Sequence, residues 1–347
     1  MAADGIPPDS LTPARIRELR ADDTNLRARD FAAQHGLVEA ELLAAQIGHG
    51  ATAIKAHPDD LMPLVCDLGD VMALTRNESC VIERRGTYEE YHGGAHAQMV
   101  LGAEIDMRMF ARHWVHGFAL EEGEKRSIQV FDAAGDAIHK VHLKPESDVA
   151  AFDRLVAALR LPEQNATLDL APRALVEAAK SDPAKVEILR SEWLKLTDTH
   201  QFLRLVSKLK MNRLGAYRIA GEPFATRLSK DAVAALLNRC AQDAIPLMIF
   251  VGNAGCIEIH GGKIETVKPM GPWLNVLDPR FNLHLRADHL AEIWLVDKPT
   301  KNGPALSLEA FDKNGALITQ IFASRKDGGV EDFNAAIKAL PRLEEMA

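Results

Sequence analysis

The chain has 347 residues, 47% hydrophobic and 26% charged, with 23 Gly and 17 Pro, a composition that excludes collagen-like, disordered and disulfide-scaffold classes and leaves a globular protein of two domains. Forty-nine acidic against 41 basic side chains give a net charge of −8, which disfavours nonspecific attraction to nucleic acid or an anionic membrane and leaves room for a local basic pocket. Cys66, Cys80, Cys240 and Cys256 contain no C-x-x-C pair, so a zinc knuckle and a thioredoxin-type centre are excluded and buried free thiols are expected.

Taken in order, the first twenty residues show no apolar core of a secretory leader and no run of 18 apolar residues occurs later, so a cytoplasmic chain without membrane insertion is expected. Helices are predicted over 11–36, opened by Thr12 as N-cap and Pro13 at the first helical position, and over 39–47. Short strands follow, read from the alternation of Ile128 and Val130, then Ile138 and Val141, around a turn at Asp132-Ala-Ala-Gly135. A helix over 148–159 closes the first half, with Val149, Phe152, Leu155 and Val156 at helical spacing. Leu161-Pro-Glu-Gln-Asn-Ala-Thr reads as a linker, which places the domain boundary near 165 and gives domains 1–165 and 166–347. The second half then repeats the order: helices over 173–180, 184–196 and 199–210, strands carrying Leu308, Ala310, Ile318 and Ile321, and a closing helix over 330–340.

The halves match each other directly. Asn77, Cys80 and Gly86 coincide with Asn253, Cys256 and Gly262 at an offset of 176, and at that offset Ile105 and Met107 answer Phe281 and Leu283. Ser127, Phe131, Asp132 and Gly135 recur as Ser307, Phe311, Asp312 and Gly315 at an offset of 180. No β–α–β alternation and no Gly-rich phosphate loop is present, so a nucleotide-binding parallel sheet is excluded. The expected fold class is α+β, a tandem duplication of a unit built from helices and a large antiparallel sheet.

Chemistry-bearing residues are few. In Asp198-Thr-His200-Gln201-Phe202, Asp198 and Gln201 are spaced as a capping box and mark a helix start. Phe202, Leu205, Val206 and Leu209 form one apolar stripe, and His200 falls opposite it. That leaves two readings, a solvated surface histidine or an imidazole presented to a cleft. His113 and His116 lack a third ligand at a recognisable spacing, and no G-x-S-x-G elbow supports a hydrolase. On the strand near Arg108, Ile105 and Met107 face one way, and Asp106, Arg108 and Phe110 the other. Arg108 has His284 as its counterpart, so the duplicated positions do not share one chemistry.

The segments Leu101-Gly-Ala-Glu-Ile-Asp-Met-Arg-Met-Phe110, His113-Trp-Val-His-Gly-Phe118, Thr197-Asp-Thr-His-Gln-Phe202 and Val296-Asp-Lys-Pro-Thr300 resemble the haem-utilisation proteins of Gram-negative bacteria, the HemS/ChuS/HmuS type also called hemin-degrading factors, over nearly the whole chain. The resemblance implies one haem in a cleft between two α+β repeats, with His200 as the axial ligand of the iron and Arg108 as the distal, catalytic group beside Phe110. It also implies that Arg213, Lys298 and Arg325 meet the propionates or line the pocket. A tyrosine found in some members has no counterpart between Ile318 and Phe322, and their cluster of histidines around the axial position is reduced to His200. Haem as cofactor or cargo, a haem importer and an electron donor are the implied partners. Carriage of imported haem and ring cleavage with iron release are both implied by the family, and the same two residues serve either. A binding module that takes no haem, with a purely structural duplication, is the alternative from another class. An apolar macrocycle buried over several hundred Å² at about 25 cal/mol per Å² gives on the order of 10 kcal/mol before association costs, so apolar burial dominates affinity and the imidazole sets orientation and iron electronics.

Overall fold

The computed structural model of the chain describes residues 11–343; residues 1–10, the first part of the stretch read for a leader, lie outside it. The chain forms two compact units: Met1–Arg76, Glu83–Ala174 and Gly252–Glu258 make the first, and Asn77–Ile82, Leu175–Val251 and Ile259–Ala347 the second. Each unit thus includes a short segment from the opposite half of the sequence.

The first half supplies α1 (Pro13–Asp22), α2 (Ala28–Gln34), α3 (Glu39–Ala45), β1 (Ala51–Ile54), α4 (Pro58–Val65), β2 (Val71–Arg76), β3 (Cys80–Gly86), β4 (Tyr91–His92), β5 (Gln98–Leu101), β6 (Asp106–Met109), β7 (His116–Glu122), β8 (Lys125–Phe131), β9 (Ala137–Leu143) and α5 (Val149–Leu159). In the first unit the strands run in the order β1-β7-β8-β9-β2, with β6-β5-β4 as a separate antiparallel set. The core lies on both faces of the β7-β8-β9 meander. Phe118 and Phe131 pack with Ile16, Phe31 and Leu43 of the leading helices, while Ala119, Ile128 and Val130 pack with Leu61, Val65, Phe152 and Leu155.

The second half supplies α6 (Val186–Trp193), α7 (Gln201–Lys208), α8 (Arg213–Ala220), β10 (Ala225–Leu228), α9 (Ala232–Gln242), β11 (Leu247–Gly252), β12 (Cys256–Gly262), β13 (Val267–Met270), β14 (Trp273–Asp278), β15 (Phe281–Arg286), β16 (Glu292–Lys298), β17 (Ala305–Phe311), β18 (Leu317–Ala323) and α10 (Val330–Lys338). Its strand order β10-β16-β17-β18-β11, with β15-β14-β13, repeats the first plan. Again two clusters form, Trp294, Val296 and Phe311 against Trp193, Phe202 and Tyr217, and Ile293, Leu308 and Ala310 against Leu236, Leu237 and Phe333.

The duplication reaches single hydrogen bonds. Asp132 Oδ1 accepts from the Ala134 and Asp136 N–H groups, both at 2.9 Å, and Asp312 Oδ1 from those of Asn314 and Ala316, both at 2.8 Å. Gly135 and Gly315 hold φ of +82° and +90° in these turns, a backbone region in which other residues are strained. A register shift precedes the first turn at Val130/Phe131 and the second at Ala310/Phe311. In the turn before β3, Asn77 Oδ1 accepts from Ser79 N and Cys80 N, and its amide donates to the Ile318 carbonyl at 2.8 Å within the second unit. Asn253 repeats this in the first unit, accepting from Gly255 N and Cys256 N and donating to the Ile138 carbonyl at 2.9 Å.

The α+β duplication is as the sequence indicates, and two helix expectations are corrected. The span 11–36 breaks after Asp22, where Arg20 Nη1 ties the Asp23 and Leu26 carbonyls at 2.9 and 2.8 Å; Asp22-Asp-Thr-Asn25 offers side chains that compete for backbone hydrogen bonds. No helix forms over 173–180. There the Ala178 carbonyl and the Lys180 N–H are taken by the Asn212 side chain at 2.7 and 3.0 Å, and Leu175 lies 94% exposed with nothing to bury it. Among the described residues no helix is long and apolar enough to cross a membrane.

Candidate functional site

His200 immediately precedes α7, whose Phe202, Leu205 and Val206 are buried while Leu203 is 52% exposed. The expected capping box is displaced by one step. Asp198 Oδ1 accepts from the backbone N–H of His200 at 2.8 Å, and the Gln201 side chain turns back to accept from the Thr197 N–H at 2.9 Å. This tight turn leaves the His200 side chain 94% exposed and sets its Nδ1 at 2.7 Å from Asp198 Oδ1. The backbone and then the side chain of His200 hold the Asp198 carboxyl below its ordinary value. A carboxylate on Nδ1 fixes the ring's orientation and leaves Nε2 as the nitrogen for a metal.

The turn lines an open depression of about 420 Å³ together with Thr197, Gln201, Arg204 and Lys301. The Lys301 N–H donates to the Thr197 carbonyl at 3.0 Å, so the loop after β16 is tied to the histidine turn. Arg325 reaches the same loop, donating to the Asn302 and Pro304 carbonyls at 2.8 and 3.2 Å. Sequence reading missed Asp198 as the partner of the imidazole and Lys301 as a neighbouring cation; Arg204 lies beside His200, as the i+4 helical spacing indicates.

Arg213 and Lys298 are brought together, though deeper. Arg213 Nη1 and Lys298 Nζ bind the two oxygens of Glu309 at 2.8 and 2.6 Å, and Lys298 is only 2% exposed. Burial alone would push the Glu309 carboxyl up, but Lys298 and Arg213 outweigh it and hold it well below the ordinary range.

Arg108 and Phe110 belong to the first unit. On β6 and just beyond it, Ile105, Met107 and Met109 are fully buried while Asp106, Arg108 and Phe110 stand on the half-buried face, as the alternation indicates. Arg108 Nη1 donates to the Asp106 carboxylate and, at 3.0 Å, to the Met107 carbonyl. The Phe110 N–H donates to the Gly255 carbonyl at 2.9 Å. The counterpart His284 instead pairs Nδ1 with Asn275 Oδ1 at 2.7 Å, so the two positions do differ in chemistry.

Repeated antiparallel α+β units define a duplicated fold, and its second unit carries an exposed imidazole held by a carboxylate beside basic side chains. The description "Haemin-degrading HemS.ChuX domain" matches residues 36–159 and again 210–340. The chain belongs to that family. The hemin transport protein HmuS of Yersinia pestis is 37% identical over 321 residues, covering 90% of this chain and 92% of the relative. Among solved structures, holo-PhuS, described as a heme-binding protein from Pseudomonas aeruginosa, is 41% identical with a TM-score of 0.91, covering 96% of this chain and all of that one. ChuS, described as an E. coli heme oxygenase, is 33% identical with a TM-score of 0.83, covering 94% of this chain and 98% of the other.

Proposed function

We propose that this chain is a cytoplasmic haem-binding protein that takes up imported haem as cargo, with His200 as the axial ligand. The observation that carries this reading is the His200 side chain, 94% exposed with Nδ1 anchored on Asp198, in a protein similar to hemin transport and heme-binding relatives. His200 and the cations beside it fit the axial and carboxylate ends of the group. A neutral imidazole ligates through one nitrogen when the other is held, and haem carries two carboxylates that need cations at the rim of an apolar slot. Arg204 and Lys301 flank His200, and Arg325 packs against the Lys301 loop; they are the proposed propionate partners. Arg213 and Lys298 act from beneath, already engaged by Glu309. Arg108 and Phe110 are further proposed haem contacts.

Arg108 uses Nη1 alone on the Asp106 carboxylate and the Met107 carbonyl, so its three other N–H donors serve a ligand on iron in carriage or in ring cleavage alike. Bound haem would supply the redox chemistry, and this chain would orient it and limit water access. Ferric haem titrated into the protein should give a Soret band saturating near one equivalent, weakened or shifted in His200→Ala. An unchanged spectrum in that variant rejects His200 as ligand. With a reductant and catalase present, a stable ferrous complex supports carriage, whereas loss of the Soret band with appearance of a linear tetrapyrrole would establish ring cleavage. Arg108→Ala should retain haem with an altered spectrum of the sixth position; complete loss of binding refutes the distal role.

A further inference from the structure

One backbone carbonyl of the first unit holds a loop at both ends. The Gly255 carbonyl accepts from the Phe110 N–H at 2.9 Å and from the Trp114 indole Nε1 at 2.8 Å, so both lone pairs of that oxygen are used. Between these two points the chain makes a tight turn over Ala111–His113. It is closed by the His113 N–H on the Phe110 carbonyl and the Trp114 N–H on the Ala111 carbonyl, both at 3.0 Å. Trp114 is 5% exposed and packs in the first unit's core, whereas Arg108 and Phe110 stand on the half-buried face of β6 and its end.

The carbonyl itself is firmly mounted. Asn253 Oδ1 accepts from Gly255 N and Cys256 N, both at 3.0 Å, and Asn253 Nδ2 donates to the Arg76 and Ile138 carbonyls, both at 2.9 Å. A Cβ at position 255 would stand 2.8 Å from Ile138 Cδ1 and 3.1 Å from His113 Cβ, so glycine is what lets the turn approach this closely.

The duplication supplies an internal comparison. The second unit builds the same bracket, with the Arg286 N–H donating to the Ser79 carbonyl at 2.8 Å and Ala287–His289 forming the matching turn. Buried Leu290 takes the place of Trp114 there, and its side chain has no donor; Ser79 Oγ pairs instead with His289 Nδ1 at 3.0 Å. The fold therefore completes this turn without an indole, and the extra bond belongs to the unit that carries Arg108 and Phe110.

We propose that Trp114 is a positioning residue of the haem site: by holding the Gly255 carbonyl it fixes the backbone of Phe110, and so sets how the Phe110 ring meets the macrocycle. This rests on the haem reading above. Trp114 acts through Phe110 and not on the ligand.

The test is a double-mutant cycle read by ferric haem titration. Trp114→Phe deletes the N–H, keeps an aromatic ring and leaves the Gly255 carbonyl bonded to Phe110, so no buried polar group is stranded. It should weaken haem binding by about threefold, the worth of one neutral hydrogen bond, and Phe110→Ala should weaken it further. In the Phe110→Ala background, Trp114→Phe should change nothing. Wild-type affinity in Trp114→Phe, or losses that add in the double variant, overturn the proposal, because a merely structural Trp114 acts whether or not Phe110 is present. Trp114→Leu copies Leu290 and repeats the cycle if Trp114→Phe does not fold. In the haem-free protein labelled with 15N-phenylalanine, the Phe110 amide proton should exchange faster in Trp114→Phe than in wild type; an unchanged rate refutes the inference. If Phe110→Ala binds haem as wild type does, or neither binds it, the haem-contact reading of Phe110 fails and the proposal with it, while amide exchange still decides whether Trp114 fixes that backbone.

Discussion

Asp198 does three jobs with one oxygen and its backbone, ending a turn, exposing an imidazole and gripping its Nδ1. Groups that orient a metal ligand typically contribute 10–100-fold to affinity; since this carboxylate is solvated, Asp198→Ala is expected near the lower end, about tenfold weaker haem binding in a Soret titration. Another residue-scale expectation concerns the first unit's interior. Glu258 is wholly buried, neither oxygen has a hydrogen-bond partner, and its Oε2 lies 3.9 Å from His139 Nδ1. Burial, reinforced by Glu83 and opposed by Thr75 and Arg84, pushes its carboxyl up to about 8, while burial pushes His139 down to about 3. A raised acid contributes its full stability below the unfolded value near 4.5 and loses it as pH climbs toward 8, because only the unfolded chain ionises freely there. Glu258→Gln should therefore gain Tm over wild type progressively between pH 5 and 8. A Tm difference constant across that range would show that Glu258 does not titrate as stated. Little of this residue-level detail was legible. His200 could be singled out from its segment, but Asp198 read as a helix cap, and nothing near Lys298 in sequence announces Glu309, Tyr217 and Phe202, which arrive from three other elements.

At the level of elements, the repeated Asn-x-x-Cys turns show what the repeat preserves. Each asparagine closes its own turn with its carbonyl oxygen and anchors that turn with its amide. Asn253→Ala removes the side-chain partner of the Gly255 and Cys256 N–H groups and the amide donor to the Ile138 and Arg76 carbonyls, so a loss of about 2–3 kcal/mol in urea unfolding is expected, with Asn77→Ala close behind. Strands were readable because the same apolar alternation recurs in both halves: Ile128 and Val130, and Leu308 and Ala310, each share one buried face, although the opposite face of these strands is buried as well. The failed helix over 173–180 has adequate local propensity, yet tertiary hydrogen bonds to Asn212 claim its backbone. Conversely, α9 carries Val233, Leu236, Leu237 and Cys240 on one buried face, a periodic signal that was present in the sequence and went unread. The helix α8 is punctuated by Asn212, whose side chain caps Gly215 N at 3.0 Å, a start signal of the ordinary kind.

For the molecule as a whole, the unit composition has a testable outcome. Residues 1–174 lack Gly252–Glu258, and residues 175–347 lack Asn77–Ile82. Each fragment made alone should melt below the intact chain, and mixing the two should raise the Tm by restoring the missing segments. Melting curves of the mixture that superpose on the sum of the separate fragments would refute this. That exchange also bears on how the chain came to have unlike halves. A protein with a single repeat could complete itself only by trading the short segment with a second copy, and a symmetric pair must present identical residues at both equivalent positions. Joining the copies in one polypeptide replaces a concentration-dependent encounter by a permanent one. Symmetry then ceases to be obligatory, and Arg108 can stand in one half while His284 occupies the corresponding place in the other.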